Sequence, residues 1–454
     1  MTSKAPLAIS EDFIVPNWGR DCRRLFYTDP DVTNLNHGSF GTVPDPVQRA
    51  CEALTRECER NPDAFIRVQL FGRVTAAREC LARLIGADPN TCVFINNVAT
   101  AMNTVLHNFD WSSEDYVIYT DAIFQSITLA IENIPHPPQS SVFKLAGLTS
   151  QAAILEKFRE HVKRIKGEML SRSKVRVSNG DHVPKIVVVM ESITASPSIL
   201  LPWRDMVRIC REEGVWSVVD AAHSLGQESE INLTEVDPDF WMTASIWPPC
   251  FDEFRANCSK WYYAQRGCAV LYVPFRNQAM IKTQLVPGVC HPVPGVAPST
   301  FIHKFFWTGQ TDPVPTLSIE FATAFRQRLG GEKKINDYCH ALAVEGGRLV
   351  AKKLGTAVMD PTDLGELTAN MTNIELPISR TIKPSNEVFL LFEEELIEVH
   401  KTFAPPFYYE GRWWVRASAQ IYNDLSDFER LGKALVEVCQ KINRLKTSNG
   451  STQT

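Results

Sequence analysis

The sequence predicts an α/β protein: a large domain with a mostly parallel sheet flanked by helices, and a smaller α+β domain. Three observations carry this. Continuous β-branched runs such as Ile186-Val187-Val188-Val189-Met190 read as strands buried on both faces. Charged segments of helical period alternate with those runs. The chain has 454 residues, more than one hydrophobic core usually organises.

In chain order, Val93-Phe94-Ile95 is a short strand that enters the polar turn Asn96-Asn97, and Ala101 to Phe109 follows as helix. Tyr116 to Tyr119 is strand-like and ends at Thr120-Asp121, and Lys157 to Lys166 is a charged helix. Trp203 to Glu213 reads as helix with Gly214 as its stop. Val215 to Val219 and Cys268 to Val273 are further buried strands. From Pro315 onward helix patterns dominate, in Ser318 to Leu329 and Gly331 to Leu354. The expected division is an N-terminal arm over 1–60 that joins the small domain, a large domain over 61–315, a small domain over 316–446 and a polar tail over 447–454.

Composition narrows the function classes. Hydrophobic residues make up 44% and charged residues 22%, ordinary for a soluble globular protein. A net charge of −5 leaves no basic excess to neutralise nucleic-acid phosphates. No run approaches the length of a membrane span, and Met1 to Pro6 has no signal-type apolar stretch, so the expected compartment is the cytoplasm. The twelve cysteines form no C-x-x-C pair, which favours reduced core thiols over disulfides and disfavours zinc; no metal is expected.

Ligands of such sheets sit beyond the carboxyl ends of the strands. Four strand-end segments carry chemistry there. Asn97 to Ala101 opens a helix, whose N-terminus can hold a phosphate with help from the Thr100 hydroxyl; Thr100 reads equally as a plain N-cap. Asp220 ends a buried strand, where an unpaired carboxylate is costly. It needs a cation such as a pyridinium nitrogen, or else it caps the next element. His223 follows three residues later. Lys260, directly before Trp261, has the setting of a desolvated amine nucleophile, although most lysines are solvated loop residues. Phe306-Trp307-Thr308-Gly309 ends in a turn that offers N–H groups to an anion, or is a plain β-turn.

This order of motifs resembles the fold-type I pyridoxal 5′-phosphate (PLP) enzymes of aminotransferase class V, from Leu35 to about Val436. Leu35 to Gly41, Asp237 to Phe240, Arg266 to Val270 and Arg416 to Asn423 resemble markers of the branch that contains isopenicillin N epimerase and the ergothioneine-pathway C–S lyases. The resemblance implies that Lys260 bonds the cofactor and later moves the Cα proton, that Asp220 pairs with the ring nitrogen, and that His223 lies near the ring hydroxyl. It implies phosphate contacts from Thr100 and the N–H of Ala101, with Thr308 and Gly309 arriving from the partner subunit of a homodimer. Phe124 would stack on the ring, Arg416 would clamp the substrate carboxylate, and His37 and Ser39 would line the substrate mouth. Arg416 reads otherwise as a helix-surface salt bridge.

Three departures shape the expected reaction. The position of Phe124 resembles a tyrosine site of the C–S lyases, and phenylalanine offers no hydroxyl to a leaving group. Ser259 precedes Lys260 where histidine is the pattern, and 244–255 looks inserted. No loop cysteine matches the persulfide-forming residue of cysteine desulfurases, which leaves Cys290 and Cys339 as open nucleophile candidates. The leading expectation is an enzyme of specialised metabolism, similar to class-V-like enzymes of loline-type alkaloid pathways, that decarboxylates an amino-acid-derived amine with ring closure. A C–S lyase, a Cα epimerase and an idle cofactor-binding scaffold are the alternatives.

Overall fold

The computed structural model describes residue 9 and residues 14–175, 182–243, 260–282, 300–307 and 309–448. Its centre is a seven-stranded sheet. The strands are β1 (Cys92–Ile95), β2 (Tyr116–Thr120), β3 (Gln139–Phe143), β4 (Ile186–Glu191), β5 (Trp216–Asp220), β6 (Phe240–Thr243) and β7 (Ala269–Tyr272). They lie in the order β1-β7-β6-β5-β4-β2-β3. The pairs from β3 to β6 are parallel, and β7 runs antiparallel to both its neighbours. Residue alternation feeds two cores. Val187, Val189 and Val218 face one side, while Val188, Met190 and Val219 face the other. That two-sided burial is why these strands read as continuous apolar runs. Each fully buried aliphatic side chain contributes roughly 1.5–3 kcal/mol.

Helices cover both faces: α1 (Asp45–Arg60), α2 (Leu70–Leu84), α3 (Val98–Leu106), α4 (Gln125–Glu132), α5 (Gln151–Val175), α6 (Trp203–Glu213), α7 (Val314–Arg328), α8 (Glu332–Leu354) and α9 (Leu425–Ser448). Helix α6 stops where the sequence predicts, with Gly214 left-handed at φ 66°. Helix α3 starts earlier than expected. Asn97 caps it by accepting from the Thr100 N–H, so Thr100 lies one turn inside.

A second core surrounds an antiparallel sheet of β8 (Met371–Glu375), β9 (Pro406–Tyr409) and β10 (Arg412–Ser418), in the order β9-β10-β8. The buried core divides inside α8, not at residue 316. Ile335 and Cys339 pack with the large sheet, and Leu342, Ala343 and Val350 pack with the small one. Helices α1 and α7 also belong to the large core, because the apolar stripe Val47, Cys51 and Leu54 meets Leu317, Phe321 and Phe325 there. Among the described residues of the arm, Leu35 joins the small core, and Thr33 and Asn34 pair in parallel with Thr402 and Phe403 beside it.

Pleating sets the key side chain of β10. Trp413, Val415 and Ala417 point into the small core, so Arg416 points the opposite way, toward the large domain. Among the described residues, no helix is long and apolar enough to cross a membrane.

Candidate active site

The parallel strands bring Asp220 and the residues after β1, β2 and β4 to one edge of the sheet. Strand β7 runs the other way, so its preceding segment returns Lys260 to that edge. The close approach of this segment depends on Gly226. It has φ 92°, and a Cβ there would lie 2.6 Å from the Trp261 carbonyl. Arg326 clamps the same place, donating to the Trp261 carbonyl at 2.7 Å and the Gly226 carbonyl at 3.2 Å.

Lys260 is 5% exposed, and its Nζ lies 3.3 Å from His223 Nε2. The Trp261 indole N–H donates to His223 Nδ1 at 3.2 Å. An indole nitrogen only donates, so Nδ1 is the bare nitrogen of a neutral imidazole and Nε2 carries the proton. Nζ must then accept, which requires the neutral amine. The charges agree. Burial and then Arg416 bring Lys260 down to about 7, against opposing pulls from Asp220 and Glu191. Burial, with Lys260 and Arg416, holds His223 well below the ordinary histidine range.

Asp220 is 2% exposed. Its Oδ1 accepts from the Ala222 N–H at 2.9 Å, as a local cap would. Its Oδ2 is buried without a hydrogen-bond partner among the described residues. Burial raises the carboxyl to about 6. A buried acceptor left bare costs about 1–3 kcal/mol, so the site is built for a donor from outside the chain.

Arg416 is 4% exposed and lies in a strand, so the helix-surface salt bridge is excluded. It donates to the Ala195 carbonyl at 2.7 Å, Ser39 Oγ at 2.7 Å and Asn36 Oδ1 at 3.3 Å. No carboxylate pairs with it among the described residues, and Nε has no partner. Burial lowers it to about 10. A guanidinium that has no acid among the described residues and whose charge acts on Lys260 suits an incoming carboxylate.

Other expected residues divide. Ser39 joins the clamp, as above. His37 is fully buried, with Nδ1 2.8 Å from the Tyr422 hydroxyl, its ring against Trp261 and its Nε2 without a partner among the described residues. Burial drives it down to about 3, so it is neutral. The N–H of Ala101 is not free for phosphate, because it donates to the Asn97 carbonyl at 3.1 Å inside the helix. The first-turn N–H groups of Val98 and Ala99 are the ones that helix geometry leaves open. Thr100 and Gly309 line one cavity of about 130 Å³. Phe124 is part-buried at the start of α4. Thr308, Ser259, Cys290 and the 244–255 segment lie outside the described residues. Cys339 is buried and raised to about 12 by desolvation, which removes it as a thiolate nucleophile.

Sequence reasoning missed two residues. Arg326 reads as one more helix arginine, and Glu191 reads as the polar end of an apolar strand. Only the tertiary fold reveals what each touches.

Residues 66–245 match the family described as Aminotransferase class-V. The chain is 31% identical to the L-cysteine desulfhydrase-like protein lolT1 of Epichloe uncinata, over 94% of this chain and 96% of that one. It is 27% identical to the hercynylcysteine sulfoxide lyase of Schizosaccharomyces pombe, over 93% and 98%. Among solved structures, the cysteine desulfurase of Thermococcus onnurineus NA1 in its apo form superposes with a TM-score of 0.69 at 16% identity, over 94% of this chain and all of that one. The cystine C–S lyase C-DES with its product cysteine persulfide gives 0.67 at 16%, over 90% and 98%. The donor set fits PLP: a bare carboxylate oxygen for a ring nitrogen, a neutral lysine for an aldehyde and open N–H groups for a phosphate. The chain belongs to the class-V aminotransferase family and is a PLP-dependent enzyme of fold type I.

Proposed function

We propose that the protein cleaves a C–S bond: it removes the Cα proton of a cysteine-derived amino acid and expels the sulfur substituent from Cβ. The observation that carries this is Arg416, buried without a carboxylate partner among the described residues and beside a lysine brought down to about 7. PLP, when bound, supplies an electron sink for the charge that develops at Cα. Asp220 Oδ2 would hold the ring nitrogen protonated, and the N-terminus of α3 would take the phosphate. Arg416 fixes the substrate carboxylate and thereby aims Cα at Lys260. Lys260 Nζ, as a free amine, takes the proton.

The clamp also selects the bond. An ion pair with the carboxylate is lost if that carboxylate departs as carbon dioxide, so Arg416 favours breaking Cα–H over decarboxylation. This supports C–S elimination over the decarboxylation with ring closure expected from the motifs. Phe124 has no hydroxyl for the leaving group, which suits sulfur groups stable as anions, such as hydrosulfide or sulfenate. The relatives' names, a cysteine desulfhydrase-like protein and a sulfoxide lyase, support the same class. The same reading carries a cytoplasmic homodimer.

The test supplies cysteine, cysteine S-conjugates and their sulfoxides to the PLP-loaded protein. Pyruvate, ammonia and a sulfur product are expected, and carbon dioxide without pyruvate would overturn the reading. In Lys260→Ala, borohydride should fix no cofactor to the chain, whereas in the wild type the cofactor should be found on the peptide containing Lys260.

A further inference from the structure

A second carboxyl lies beside Asp220. Glu191 ends β4, Asp220 ends β5, and the two are register partners on adjacent parallel strands, about 4.8 Å apart. Partners in register share a face of the sheet, here the face of Val187, Val189 and Val218. Glu191 is 3% and Asp220 2% exposed. Each has one oxygen, Oε2 and Oδ2, buried without a hydrogen-bond partner. Two carboxyls this close and this dry cannot both ionise.

Which one keeps the proton follows from what faces each. Burial and then Asp220 drive Glu191 well above the ordinary carboxyl range, while the backbone of Phe124, Lys260 and the backbone of Ala195 oppose it. Asp220 rises only to about 6, and it faces the Ala222 N–H and Lys260. His223, also on this edge, is neutral, and Arg416 is the remaining cation. A pyridinium at Oδ2 would lower Asp220 further. The neighbours of Glu191 matter too: Phe124 is the residue expected over the ring, and the Ala195 carbonyl holds Arg416 at 2.7 Å.

We propose that Glu191 is a positioning residue of the cofactor site: a neutral carboxylic acid that leaves Asp220 as the single anion for the ring nitrogen and ties the Phe124 and Ala195 loops to it. This rests on the reading that PLP sits on Lys260 and Asp220. The proton stays on Glu191 throughout, and no bond is made or broken there.

The experiment compares wild type, Glu191→Gln and Glu191→Leu. An infrared difference spectrum of the apo-proteins, wild type minus Glu191→Gln at neutral pH, is expected to show a protonated carboxyl C=O stretch. The glutamine variant keeps the shape and the neutrality. Its PLP dissociation constant should stay within about threefold of wild type, and the pH midpoint of the bound cofactor's absorbance should not move. The leucine variant loses both oxygens and should bind PLP at least about tenfold more weakly. Absence of the protonated stretch, or a midpoint shift of about one pH unit in Glu191→Gln, makes Glu191 an anion and overturns the proposal. Wild-type affinity in Glu191→Leu removes the positioning role. If Glu191→Leu does not fold, the infrared band and the Glu191→Gln titration still decide. A wild type that takes up no PLP would sink the cofactor reading alone, since the infrared band needs no cofactor.

Discussion

The two edges of the central sheet treat buried charge in opposite ways. At the amino edge, Asp115 precedes β2 and Lys185 precedes β4. Asp115 is fully buried, yet its carboxyl accepts from the Ser112 N–H, the Lys185 N–H, Lys185 Nζ and His182, at 2.7–3.0 Å. At the carboxyl edge, Asp220 and Glu191 each keep a bare oxygen, Lys260 is brought down to about 7 and, among the described residues, Arg416 has no acid. Buried polar groups in native proteins are normally satisfied. Bare buried atoms occur elsewhere too, Tyr116 Oη at the amino edge among them. What sets the carboxyl edge apart is that two bare acids and an arginine without an acid meet there, at the edge where ligands bind in open α/β sheets.

Two buried arginines give the largest expected effect. Arg326 is saturated: it donates to Glu332 at 2.6 and 2.7 Å and to two carbonyls, and lies over Tyr262 and Tyr263. Arg416 is not. Replacing each by methionine separates structural charge from functional charge. Arg326→Met breaks a pair in which Glu332 stays partly exposed, and should destabilise the apo-protein by about 3 kcal/mol in urea. Arg416→Met removes an unpaired buried cation and should be neutral, or stabilising by about 1 kcal/mol, while saturation by substrate is lost. Equal destabilisation by both would erase the distinction.

How far the sequence discloses this depends on the range of the interaction. The buried strands were legible because burial on both faces leaves an apolar run with no alternation. The edge strand β3, with Ser140 and Val142 exposed, carries no such run and was missed. Asp220 and Lys260 were legible because strand ends and a family order of motifs mark them. The loss of the Ala101 N–H was not, because it follows from where the cap falls, and Asn97, one turn earlier, takes that role. Helices α1 and α7 were assigned to the wrong core because an apolar stripe says that a helix packs, not against what. Glu191 needed the register of two strands and Arg326 needed a loop folded over it, and neither is local.

The two aspartates predict opposite pH responses. Burial raises Asp115, but its bonds to Lys185 and His182 outweigh burial and hold it below the ordinary value of 3.8. Its stabilisation is present above 3.8 and is lost as pH falls through the folded value. Asp115→Asn should therefore cost about 2–3 kcal/mol at neutral pH, with the gap to wild type closing on acidification. Asp220 moves from 3.8 to about 6. Its protonated form is the stable one, and that advantage is lost as pH rises through about 6. Apo Asp220→Asn should be level with wild type in acid and more stable by about 3 kcal/mol above pH 6. Urea midpoints across pH read both, and gaps that open in the same direction would break the contrast between the edges.

The smallest effect tests the proton logic at Lys260. The Trp261 indole fixes His223 with Nδ1 bare and Nε2 protonated, so Nζ can only accept. Trp261→Phe keeps the aromatic packing and removes the donor. His223 can then carry its proton on Nδ1 and offer Nε2 as an acceptor, which favours the ammonium. Covalent uptake of PLP by wild type should rise through a midpoint near pH 7, where the free amine appears. In Trp261→Phe that midpoint should climb by about one unit. Trp413 is an equally buried indole that donates to the Ile382 carbonyl in the small core, so Trp413→Phe should leave the midpoint alone. A shift in both variants would mean that lost packing sets the lysine. A shift in Trp261→Phe alone would mean that one N–H, two hydrogen bonds away, keeps the amine bare.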